Sequence, residues 1–83
     1  MYYVVTQKQH GNAAVDILAR CRTARGALRR LDAEVADYHR NYGYNTIFPA
    51  RPWVQQHGDE PTRHEPDAVV TVYELQSRRA RGE

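Results

Sequence analysis

The sequence predicts an α+β domain with the element order β-β-α-β-β, a four-stranded antiparallel sheet with one helix packed across one face. Three features of the 83-residue chain carry this. Two β-branched and aromatic runs flank a turn signal, a capped amphipathic helix follows, and a valine-rich run lies near the end.

Residues 2–7 (Tyr-Tyr-Val-Val-Thr-Gln) have a strand's composition, and residues 14–21 form a second such run. Gly11-Asn12 between them suits the centre of a tight primed turn. That turn sets a register in which Tyr2 faces Cys21, Val4 faces Ala19 and Thr6 faces Ile17. One face would then carry Tyr2, Val4, Thr6, Val15, Ile17, Ala19 and Cys21. The other would carry Tyr3 opposite Arg20, Val5 opposite Leu18 and Gln7 opposite Asp16.

Thr23 is a good N-cap and Gly43 a left-handed stop, which predicts a helix over residues 24–42. Ala24, Leu28, Leu31, Val35, Tyr38 and Tyr42 fall within an arc of about 80° at helical spacing, enough to cover one side of a sheet. Thr46-Ile47-Phe48 predicts a short strand ending at Pro49, then a turn that lands Trp53 on the body. Residues 55–67, polar apart from two prolines, predict an exposed loop. Residues 68–76 (Ala-Val-Val-Thr-Val-Tyr-Glu-Leu-Gln) predict the last strand. One domain thus spans 1–76, and 77–83 are a frayed polar tail.

A hydrophobic content of 41% and a charged content of 27% are ordinary for a globular chain and argue against disorder. A domain of this length buries only about 60–65% of its unfolded surface, so its core is thin. With no long apolar run behind a basic start and no stretch of membrane-spanning length, the sequence predicts a cytoplasmic protein without a leader or anchor. The single cysteine, Cys21, has no partner for a disulfide or a metal pair, which also suits a reducing compartment.

Catalytic chemistry finds no support. No serine or cysteine sits in a nucleophile motif, and no glycine-rich phosphate loop occurs. His10 lies at the turn and His39 on the border of the helix stripe. His57 and His64, with Asp59, Glu60, Glu65 and Asp67, match no compact metal-ligand spacing. The expectation is therefore a non-catalytic protein with no cofactor, metal or small-molecule substrate.

Two surfaces stand out. Arg20, Arg22, Arg25, Arg29 and Arg30 place five cations in eleven residues with no acid among them. On the helical wheel Arg25, Arg29 and Arg40 share one flank with Ala33 and Ala36, a basic stripe able to lie against a flat anionic partner. Residues 1–42 carry seven basic against four acidic residues, and residues 43–83 five against six. Eleven of the twelve basic residues are arginine, a bias that a GC-rich genome, bacterial or phage, would also produce. The second surface is the sheet face away from the helix, where Tyr3, Val5, Leu18 and Tyr73 are expected. Its strands do not alternate as a wetted face should, so something must cover it. Either the Trp53 segment folds across it, or another chain does.

The two surfaces imply two classes of partner. Cover for the sheet face favours a protein partner, another molecule or a second copy in a homodimer, through Tyr3, Val5, Leu18 and Tyr73. The alternative is nucleic acid, held by Arg20, Arg22, Arg25, Arg29 and Arg40 with Tyr3 stacking on a base.

Overall fold

The computed structural model describes residues 1–8, 12–44 and 50–65. These form β1 (Tyr2–Gln7), β2 (Val15–Cys21), α1 (Ala24–Tyr42) and β3 (Trp53–Gln56). The protein is α+β, with a small antiparallel sheet in the order β2-β1-β3 and α1 on one face. The strands expected at 46–48 and 68–76 and the tail at 77–83 lie outside the described residues. Among the described residues the sheet has three strands, and the third is not where the sequence places one.

The helix runs over the predicted span because both ends are closed locally. Thr23 is extended (φ −121°, ψ 152°), and its hydroxyl accepts from the Gly26 amide at 3.1 Å. At the far end Gly43 adopts φ 78°, a region open to glycine, and its amide donates to the His39 carbonyl at 2.9 Å. The buried stripe is rotated slightly from the expected one. Ala27, Leu31 and Tyr38 are buried, whereas Tyr42, expected within it, is 47% exposed.

β1 and β2 begin in the expected register, Tyr2 with Cys21, Tyr3 with Arg20 and Val4 with Ala19. Between Val4 and Val5 the register slips by one residue, and Val5 pairs with Ile17, Thr6 with Asp16 and Gln7 with Val15. Leu18 is the extra residue of a β-bulge. The turn end fixes this second register, with the Lys8 amide donating to the Ala14 carbonyl at 3.0 Å. Gly11, half of the expected turn pair, lies outside the described residues.

Side chains alternate with period two, so a one-residue slip reassigns faces. Val15 and Ile17, expected on the helix side, pack instead with Tyr3, Val5 and Trp53 on the far side. Leu18 moves the other way and packs beneath the helix, beside the buried cluster of Val4, Ala27, Leu31 and Val54.

β3 pairs antiparallel with β1, Val4 opposite Val54 and Val5 opposite Trp53. The His57 amide extends the ladder to the Met1 carbonyl at 3.1 Å. β1 is thus the central strand, and Tyr3, Val4 and Val5 are buried in succession, as a strand covered on both faces requires.

The far face is covered by the chain itself. From β3, residues 57–65 run back to the start of β2 as a strap. Thr62 accepts from the Val15 amide at 3.3 Å, and the His64 amide donates to the Ala13 carbonyl at 2.7 Å. Pro61 is buried, and the His64 ring lies 4.8 Å from the Trp53 ring. Of the exposed loop expected over 55–67, residues 58–60, 62 and 63 are exposed in irregular structure, 66–67 lie outside the described residues, and the difference lies at its start and at buried Pro61. Gln55 and Gln56 belong to β3, and Gln55 is 0% exposed.

A buried glutamine is tolerated only if its amide is satisfied. The Trp53 indole N–H donates to Gln55 Oε1 at 3.2 Å, and Gln55 Nε2 donates to the Arg63 carbonyl at 3.0 Å. One side chain therefore joins the sheet to the strap. Gln55→Leu keeps the bulk but strands an indole donor and a strap carbonyl, and should cost about 1–3 kcal/mol in urea unfolding. Leu31→Ala, which opens a cavity under the helix, should cost about 2–5 kcal/mol. A Gln55→Leu protein as stable as the parent would show that the amide does not hold the strap.

Candidate functional site

The strap decides which predicted surface is available. Tyr3 and Val5 are 4% and 0% exposed, packed with Val15 and Trp53, so neither is available to a partner in this fold. Leu18 packs on the helix side, and Tyr73 lies outside the described residues. The sheet face expected to dock a protein is therefore closed, because the polar segment read as loop supplies its cover. Tyr3 is likewise withheld from base stacking. It stands opposite Arg20 in the predicted register, but Arg20 is engaged by the strap.

That engagement is the Arg20 Nε contact with Glu60 Oε1, which links β2 to the strap. The hydrogen bond and the charge of Glu60 raise the Arg20 guanidinium above the ordinary arginine range. A raised value means that the contact's contribution is present below that range and lost only as pH climbs through it. The contact therefore persists through ordinary alkaline buffers. Glu60 escapes sequence reasoning because nothing local distinguishes it from the other carboxylates of its segment.

Two more members of the arginine group are tied to acids on their own helix. Arg30 Nε donates to Glu34 Oε1 at 2.8 Å, and Arg40 Nη1 to Asp37 Oδ1 at 2.8 Å. These pairs are exposed and contribute little to stability, but they neutralise their charges locally. Arg40 thereby leaves the basic stripe. Arg22, Arg25 and Arg29 remain, all exposed and without an ion pair among the described residues.

All three cluster at the start of α1. The first turn has no acidic residue, while the last carries His39 and Arg40. The C-terminal charges complement the helix dipole and the N-terminal ones oppose it. Three free guanidiniums beside the positive end of a helix repel one another mildly and attract anions. Asp32 stands one turn beyond Arg29 on the same flank and bounds the patch.

The histidines do not assemble a site. His57 Nε2 sits 3.0 Å from both oxygens of Glu65, within the strap, and its buried Nδ1 has no partner among the described residues. Among the described residues no group of histidine, cysteine or carboxylate side chains is placed to hold a metal. Cys21 is half-buried at the end of β2. Among the described residues no helix is long and apolar enough to cross a membrane. No protein-family model matches the chain, and neither a curated protein nor a solved structure shows significant similarity to it.

Closure of the far face is measurable through the only tryptophan. Trp53 should emit as a buried indole and resist acrylamide quenching, and His64→Ala, which removes the ring beside it, should red-shift the emission and increase quenching. An indole in the parent as accessible as free tryptophan would mean that the face is open.

Proposed function

We propose that this chain is a small non-catalytic interaction protein that holds a polyanionic macromolecule through Arg22, Arg25 and Arg29. The observation that carries this is selective pairing. Among the described residues Arg20, Arg30 and Arg40 each have a carboxylate of their own, whereas Arg22, Arg25 and Arg29, together at the start of α1, do not, and neither do Arg51 and Arg63 elsewhere in the chain. Surface arginines in a small domain are readily paired at low cost, so three left free in one place favour a partner that supplies the anions. Self-association through the sheet face is not part of the proposal, because its premise was an uncovered face.

Two further elements belong to the proposal. One is a cytoplasmic location, supported by the lone cysteine. The other is the four-stranded form of the sheet. In it residues 68–76 would add to β2 or β3, the edges of the described sheet.

Retention on immobilised heparin, used as a generic polyanion, tests the reading. The parent should bind at low salt and elute as salt rises, with Arg40→Ala eluting alongside it. Arg22→Ala/Arg25→Ala/Arg29→Ala should pass through unretained with unchanged far-UV circular dichroism. Equal retention of the triple variant and the parent would reject the surface.

A further inference from the structure

We propose that the polyanion is double-stranded nucleic acid, gripped by its phosphates without regard to base sequence; this rests on the polyanion reading above. Charge complementarity is the first argument. Arg25 and Arg29 are one helical turn apart, about 5–6 Å between their Cβ atoms, and Arg22 precedes the cap. A duplex presents one charge per roughly 1.7 Å of axis, so several phosphates lie within reach of the three side chains at once. The planar guanidinium fork suits phosphate oxygens in pairs.

The second argument is the shortage of stacking surface among the described residues. Single-strand binders gain about 1–3 kcal/mol per base from exposed aromatic rings. Here Tyr3 and Trp53 are buried. Tyr42 and Tyr44, the exposed aromatic residues among those described, lie at the opposite end of the 19-residue α1. That end is about 28 Å from the start of the helix. Against this patch a single strand offers lower charge density than a duplex and gains no stacking from the described residues in return.

The third argument concerns specificity. Base edges are read by arginine, lysine, asparagine, glutamine or carboxylate side chains inserted in a groove. Beyond Arg29 the same flank of α1 carries exposed Ala33 and Ala36, which offer no donor or acceptor. With Arg22, Arg25 and Arg29 placed on phosphates, these alanines let the flank approach a duplex closely without adding a base-reading group of their own.

Fluorescence anisotropy of the full-length protein tests this, using two 20-base-pair duplexes of unrelated sequence, a 20-nucleotide single strand, heparin and polyglutamate. Both duplexes should bind alike, with a salt slope of about −2.7 for three phosphate contacts, an affinity loss of about 40-fold between 50 and 200 mM salt. The single strand should bind more weakly, with a slope near −2.1. Each single arginine-to-alanine change should flatten the duplex slope by about one. Equal or tighter binding of the single strand would overturn the proposal, as would a tenfold preference between the duplexes. Binding to heparin or polyglutamate without binding to duplex would overturn it while leaving the polyanion reading in place. No binding to any of these anions would remove both.

Discussion

The amide of Gln55, closed between the Trp53 indole and the Arg63 carbonyl, is the contact on which the rest of this small fold depends. A single helix can cover one side of a sheet, and α1 covers the side that holds Val4 and Val54. The other side holds Tyr3, Val5, Val15 and Trp53, and would be wet without a second layer. No second helix among the described residues supplies it. A polar strap does, and a polar segment can lie over an apolar face only if its backbone finds partners. Gln55, Val15 and Ala13 provide them.

This closure directs attention away from the sheet and toward the helix. Once Tyr3 and Val5 are internal, the candidate partner surface is decided by electrostatics rather than by exposed apolar area. Local ion pairs consume Arg20, Arg30 and Arg40, and of the arginines left without one among the described residues three form a compact group at the positive end of α1. The group sits where the helix dipole disfavours cations, so its placement does not serve the stability of the helix.

Much of the frame was legible in the sequence. The helix could be bounded because its cap and stop are written as Thr23 and Gly43, and the first three β1–β2 pairs followed from strand composition and turn chemistry. The bulge at Leu18 was not legible, because it inserts one apolar residue among others and leaves composition unchanged. β3 was missed because Trp-Val-Gln-Gln between proline and glycine has no strand pattern of its own; its pairing with β1 makes it a strand. The strap was missed for a related reason. Its anchors join residues that are distant in sequence, Arg20 with Glu60 and Ala13 with His64, and no local periodicity encodes such pairs. The notion that something must dry the far face did follow from the strands' failure to alternate. Of the site residues, Arg22, Arg25 and Arg29 keep their expected exposure, Arg20 and Arg40 are diverted into ion pairs, and Tyr3, Val5 and Leu18 are internal or on the other face.

Amide hydrogen exchange on a dilute sample is the most direct test of a face closed by its own chain. The Val15 and His64 amides, which bond to Thr62 and Ala13, should be protected to a degree comparable with the β1–β2 ladder, and protection should not change with protein concentration. Rapid exchange at both positions, or protection that appears only as concentration rises, would contradict the account.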